Sequence, residues 1–119
     1  MLSGIELVIG AMFEPKFGHV VMCGMGGIFI EVFKDVAKGL SPLGKEEALA
    51  MIRSLKSYKI IKGIRGQKGV NENLFADVML RLSALLHAAP EINELDFNPL
   101  LGKEDRVVVV DARICLKRL

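Results

Sequence analysis

Glu94, Asp96 and Asn98 alternate with Leu95 and Phe97 along one apolar stretch, and Val107 to Val110 lead into Asp111 and Arg113 shortly afterwards. Strand residues two apart share a face, so the three oxygen-bearing side chains project together while Leu95 and Phe97 point the other way. A turn centred on Gly102 to Asp105 folds the second strand back and brings Asp111 opposite Asn98. Directly opposed residues have Cβ atoms about 5 Å apart, close enough for a carboxylate and an amide to share one cation. Hard oxygen donors suit magnesium, which usually completes its shell with water and phosphate. The pair reads as half of a metal–nucleotide site.

Other residues enter with less force. Arg113 shares the Asp111 face, where it either holds the carboxylates or reaches a phosphate; an ordinary cross-strand ion pair serves equally well. Arg65 sits in the basic, glycine-rich segment Lys62 to Gly69. Glycines admit close approach of a ligand, and arginine suits phosphate. Glu6 is a lone acid on the solvent side of its strand, and Glu31, Lys34 and Asp35 read as exposed strand charges. Gly24-Met25-Gly26-Gly27 lacks a phosphate-loop or dinucleotide pattern and reads as a sharp connection. His19 and His87 have no partner at a spacing that suggests a metal or a triad, and there is no nucleophile–base constellation. Any catalysis on this surface would work by positioning charge around a transferring phosphoryl group.

The elements that must position these residues follow from periodicity. Ile5 to Phe13 alternates as a strand, Glu14 to Gly18 turns, and His19 to Cys23 returns as its hairpin partner. Ile28 to Phe33 reads as a third strand, and Asp35 to Leu40 as a short extended segment. Ala48, Met51, Ile52 and Leu55 then recur at helical spacing, predicting a helix from about Lys45 to Ser57. Asn71 is a candidate N-cap for a second helix, with Leu74, Phe75, Val78, Met79, Leu82, Leu85 and Leu86 as its stripe. Two closing strands complete an α+β fold, a largely antiparallel sheet with two helices on one face.

The 119 residues fit one domain, and 51% hydrophobic with 25% charged residues is a globular composition. A net charge of +2, with scattered basic residues, argues against a nucleic-acid partner. No apolar run approaches a membrane span and no signal-peptide pattern opens the chain, so no membrane partner is expected. Cys23 and Cys115 both lie in apolar runs and read as buried reduced thiols, which suits the cytoplasm.

Taken in order, Gly4 to Gly10, Phe17 to Met22, Gly24 to Val32, Gly63 to Gly66, Glu94 to Pro99 and Asp111 to Ile114 resemble the ATP-grasp domain of ADP-forming acetyl-CoA (acyl-CoA) synthetases. That group is related to the β subunit of succinyl-CoA synthetase, and the resemblance covers nearly the whole chain. It implies a reversible reaction in which acyl-CoA, ADP and phosphate give acid, CoA and ATP. Phosphate passes through a phosphohistidine on a separate CoA-ligase domain or subunit. The resemblance makes Asn98 and Asp111 ligands of Mg2+, Glu6 a contact to the ribose of ATP or ADP, and Asp96 an acid near the incoming phosphohistidine. It places Glu31, Arg65 and Arg113 near the site without individual roles; Asp96 and Arg65 are the catalytic candidates, and Glu94 is a further near-site residue.

The resemblance also marks departures. Residues 1–119 correspond to the C-terminal ATP-grasp subdomain, and the N-terminal half with its adenine-side contacts is missing. His19 stands where the family usually has proline, Phe13-Glu14 replaces an Arg-Asp pair, and Gly39 replaces an arginine. The expected partners are therefore the N-terminal ATP-grasp half and a CoA-ligase subunit or domain, with no activity expected of the chain alone. The rival reading is a non-catalytic remnant or interaction module that docks a partner through its sheet face. Apolar surface exposed by removing half of a two-part fold would also favour a homodimer.

Overall fold

The computed structural model describes residues 4–64 and 68–117. Its first hairpin follows from alternation: β1 (Ile5–Glu14) and β2 (Gly18–Met25) pair antiparallel, with Gly10 opposite Met22 and Phe13 opposite His19. Gly18 closes the turn at a φ of 88°, a conformation that glycine adopts without strain. β3 (Val36–Leu40) adds to β2 on one side, and β4 (Ile92–Gly102) adds to β1 on the other. β5 (Val107–Val109) and β6 (Ala112–Leu116) pair successively with β4, so together they form the far edge of an all-antiparallel six-stranded sheet.

One face of that sheet is covered. Leu7, Ile9, Val21, Cys23, Leu95 and Leu100 project from it into a core shared with α2 (Lys45–Ser54) and α4 (Glu72–Ala88). The helices contribute Ala48, Met51, Ile52, Phe75, Met79, Leu82 and Leu86, all buried. Fully burying a side chain of the Leu or Phe type stabilises by about 1.5–3 kcal/mol, so this layer holds the sheet's curvature and register. Asn71 caps α4 as its sequence predicts, its side chain accepting from the Leu74 N–H at 3.0 Å.

Two expectations change. Ile28 to Phe33 is not a strand. Residues Ile28–Glu31 form a one-turn helix, α1, after Gly27 turns the chain at a φ of 64° and the Gly26 N–H bonds the Glu6 carbonyl at 2.9 Å. The first long helix stops at Ser54, and a further short helix, α3 (Tyr58–Lys62), follows it. Among the described residues the sheet is therefore accompanied by four helices, of which α2 and α4 form the covering layer.

Asp35 secures the joint between α2 and α3. Its two carboxylate oxygens accept from the Lys56 and Ser57 N–H groups, each at 2.8 Å. It is a buried anchor, contrary to its reading as an exposed strand charge.

Candidate functional site

The uncovered face of the sheet gathers most of the chemistry-bearing residues. β4 carries a bulge: Leu7 pairs with Leu100 and Ile9 with Phe97, so Asn98 and Pro99 together oppose Val8. A bulge re-aims side chains locally, and such irregularities concentrate next to functional sites. Proline has no N–H to give the ladder, and the edge strand is correspondingly interrupted at Val110 and Asp111. Two bonds bridge the interruption: the Asn98 N–H donates to the Asp111 carbonyl at 3.2 Å, and the Val110 N–H to the Pro99 carbonyl at 3.0 Å. Asn98 and Asp111 thus sit opposite one another, as the alternation predicts, and both are exposed.

Register extends this into rows. Arg113, Asp96, Gly10, Met22 and Lys38 lie successively opposite each other across β6, β4, β1, β2 and β3. Cys115, Glu94, Met12, Val20 and Leu40 form the neighbouring row. Between the rows lies a cavity of about 410 Å³, within the range of small-molecule sites. Its lining includes Asp96, Glu94, Glu14, Arg113 and Lys38. The ion pairs among the described residues lie elsewhere, at Lys45–Asp77, Arg53–Glu72, Lys68–Glu104 and Asp105–Arg106. Of the cavity carboxylates, Glu14 accepts from the Lys16 N–H at 3.4 Å.

Glu6 lies on the same face, further along β1. Its carboxylate rests against the Gly26–Gly27 turn, where a Cβ on Gly26 would come within 3.5 Å of Oε2 and 3.3 Å of the Glu6 Cβ. The glycine-rich connection therefore leaves space for Glu6. Glu31 ends α1 and is exposed, away from the cavity lining. Arg65 lies outside the described residues. Among the described residues no three His, Cys, Asp or Glu side chains converge as a metal cage. The Asn98–Asp111 pair accordingly fits an ion completed by phosphate and water, and not an all-protein site.

Sequence reasoning did not name Lys38, Glu14 or Gly10 as site residues, and it read Cys115 only as a buried thiol. Alternation along β1 could have found Gly10 and Glu14, whereas Lys38 needs the β2–β3 register. Cys115 is exposed on the edge strand, which corrects its expected burial; both cysteines are free. Cys23 is buried, and burial together with the nearby Asp35 charge pushes its thiol up to about 12.

The departures also find places. Position 39 faces the helices: a Cβ there would meet the Met51 Sδ at 2.8 Å, so its lack of an arginine removes no charge from the open face. His19 is buried, and its Nε2–H donates to the Ile92 carbonyl at 2.7 Å. The acceptor is a carbonyl, so the proton must be on Nε2. Phe13 meets the His19 ring edge-on at 5.4 Å and carries the Lys117 ammonium 3.3 Å from its centroid.

Residues 1–116 match the profile of the ATP-grasp domain. The chain belongs to the ATP-grasp family. Within it, the chain is 45% identical over 113 residues to the β subunit of acetate–CoA ligase (ADP-forming) I from Pyrococcus furiosus, covering 95% of this chain and 49% of that subunit. It is 45% identical over 118 residues to 4-hydroxybutyrate–CoA ligase (ADP-forming) from Nitrosopumilus maritimus, covering 96% of this chain and 17% of that protein. This ATP-grasp chain thus spans about half the β subunit and a smaller share of the single-chain ligase. A solved acetyl-coenzyme A synthetase 1 of Ca. Korarchaeum cryptofilum, in complex with coenzyme A and Mg-AMPPCP, superposes with a TM-score of 0.92 at 38% identity. That match covers 98% of this chain and 55% of the other. An ATP citrate lyase from Methanothrix soehngenii, at 14% identity and a TM-score of 0.60, shares the ATP-grasp fold alone.

Proposed function

We propose that this chain forms the magnesium- and phosphate-binding side of the nucleotide site in an ADP-forming acyl-CoA synthetase. The observation that carries the reading is the Asn98–Asp111 pairing at the β4 bulge, which sets an amide and a carboxylate opposite each other on the open face. This donor set fits Mg2+, with Asn98 and Asp111 as its protein ligands. Held there, the ion would supply positive charge to neutralise phosphate.

The chain's own residues then divide the work. Glu6, seated against Gly26–Gly27, takes the ribose of ATP or ADP. Asp96 and Glu94 face the transferring phosphoryl group, and Arg113 and Arg65 supply cations to its oxygens. The relatives support a reaction of acyl-CoA, ADP and phosphate giving acid, CoA and ATP. Two of them, equally similar to this chain, are named for acetate and 4-hydroxybutyrate, which supports acid selection outside these residues. Activity then requires the complementary ATP-grasp half and a phosphohistidine-bearing CoA-ligase partner, in the cytoplasm.

Calorimetry tests this with Mg-ATP. The chain alone binds weakly or not at all. Adding the part of the Pyrococcus β subunit that this chain does not match restores binding. Losing groups that merely support metal ligands costs 10–100-fold, so Asp111→Ala should weaken the restored binding by about 100-fold or more. Restored binding that ignores Asp111 would sink the assignment.

A second reading, a docking module, draws on the exposed apolar side chains Met12 (58%), Leu40 (50%) and Leu116 (62%). It predicts self-association, including the homodimer, in size-exclusion chromatography; a clean monomer argues against it.

A further inference from the structure

Side chains on the open face are exposed at Glu6, Met12, Lys38 and Glu94 and half-buried at Met22 and Asp96. Val8 breaks that pattern. It lies between Glu6 and Gly10 on β1, so alternation turns it away from the helices. It is nonetheless only 1% exposed, and it stands outside the core cluster that Leu7 and Ile9 join. Its burial is therefore not the work of the helix layer.

The neighbours of Val8 across the sheet are unequal. On β2 it faces Gly24, which has no side chain and no room for one, since a Cβ there would lie 2.8 Å from the Asp35 carbonyl oxygen. On β4 it faces the bulge, where Asn98 and Pro99 stand against Val8 alone. The same two residues carry the edge strand across its interruption. Asn98 does so through its N–H to the Asp111 carbonyl at 3.2 Å, and Pro99 through its carbonyl, which accepts from the Val110 N–H at 3.0 Å. Directly opposed side chains have Cβ atoms about 5 Å apart, so Val8 fills the space from which Asn98 is aimed. A β-branched side chain suits that place, because its restricted χ1 holds one shape.

We propose that Val8 is a positioning residue, which props the β4 bulge and thereby sets the separation of Asn98 and Asp111. This rests on the reading of that pair as ligands of Mg2+. Magnesium demands near-ideal octahedral geometry, whereas calcium accepts looser arrangements, so a shift of the bulge weighs on magnesium first.

The test has two arms. In the chain alone, hydrogen exchange at the Asn98 and Val110 amides reads the bulge, with amides of the β1–β2 hairpin as the internal reference. Val8→Ala should speed the first pair about tenfold relative to that reference. In the second arm, Mg-ATP is titrated into the chain assembled with the complementary part of the Pyrococcus β subunit. Val8→Ala should bind about tenfold more weakly, the lower end of the loss for groups that support metal ligands. With Ca2+ in place of Mg2+ the difference should shrink to about twofold or less. Val8→Leu keeps the apolar bulk but moves the branch, so it should fold and lose a factor comparable to that of Val8→Ala. Val8→Thr keeps the branched shape but brings a hydroxyl into an apolar place. It should unfold more easily than the parent yet bind Mg-ATP as the parent does. The proposal is overturned if Val8→Ala leaves either the exchange or the affinity at the parent value, or if Val8→Leu binds like the parent. It is overturned equally if Val8→Thr loses as much affinity as Val8→Ala, since affinity would then follow stability alone. Failure of the nucleotide-site reading is seen separately, as Mg-ATP binding that ignores Asp111, and the exchange arm still decides whether Val8 props the bulge.

Discussion

Replacing Asp35 with alanine removes the acceptor for two backbone donors at the α2–α3 joint. Both bonds are 2.8 Å long and end on a carboxylate, the class worth about 1.5–3 kcal/mol each when its partner cannot turn to water. Lys56 is exposed, so water replaces much of its bond, whereas Ser57 is buried and its freed N–H has no substitute. The expected cost is therefore nearer one full bond than two, about 2–3 kcal/mol. In a domain of this size that lowers the melting temperature by roughly 10 °C. Asp35→Asn keeps one acceptor oxygen and should lose about half as much.

The same site makes a pH prediction. Burial pushes the Asp35 carboxyl up, but the neighbouring Ser57 hydroxyl and the Lys56 and Ser57 N–H groups outweigh it, leaving it below the ordinary aspartate value. The Ser57 hydroxyl lies close to the carboxylate without reaching hydrogen-bond geometry, so the two N–H donors are the firm contacts. A folded-state value lower than the unfolded one stabilises fully above the unfolded value and loses that effect as pH falls through the folded one. Urea unfolding of parent and Asp35→Ala should therefore show a constant gap from neutrality down to about pH 5, narrowing below about pH 4. A gap under about 0.5 kcal/mol at pH 7, within ordinary surface-substitution scatter, would refute the anchor. A gap that stayed constant in acid would refute the titration.

Two further expectations need simpler assays. His19→Ala strips the Ile92 carbonyl of its side-chain donor and Phe13 of its edge contact, and should cost about 1–3 kcal/mol in urea unfolding; no measurable loss would show that His19 is a passive filler. With a chromogenic thiol reagent, Cys115 should react in the native chain and Cys23 only after denaturation. At pH 8, a thiol at about 12 leaves roughly one molecule in 10⁴ as the reactive thiolate, and Cys23 is also fully enclosed. Simultaneous reaction of both would contradict the packing of β2.

Much of the site's placement was legible because it rests on period two. Glu94, Asp96 and Asn98 share a face as alternation requires, and a turn of suitable composition returns Asp111 to Asn98. The bulge at Asn98–Pro99 was not legible, since it shows only when Val8 is laid against β4. Ile28 to Phe33 misled for a physical reason: β-branched and aromatic residues signal a strand, but Gly27 turns the chain off the sheet before they can pair. Ile28, Val32 and Phe33 remain about three-fifths exposed, so burial never supports the strand pattern. Helix α3 is five residues long, too short for a helical stripe to declare itself. Lys38 escaped notice because a single lysine on an edge strand acquires meaning only through residues opposite it on other strands.

The central position of β1 also has a consequence for how the molecule is made. Within these residues β1 is made well before one of its two sheet neighbours, β4. Until β4 arrives, one edge of β1 is unpaired, and the core beneath Leu7 and Ile9 lacks Leu95 and Leu100. Bringing Gly10 to Asp96 closes a long loop, a slow kind of contact to form. Asn98 and Asp111 meet within the local β4–β6 return, whereas the cavity over Gly10 gains its acidic wall only when β4 pairs with β1.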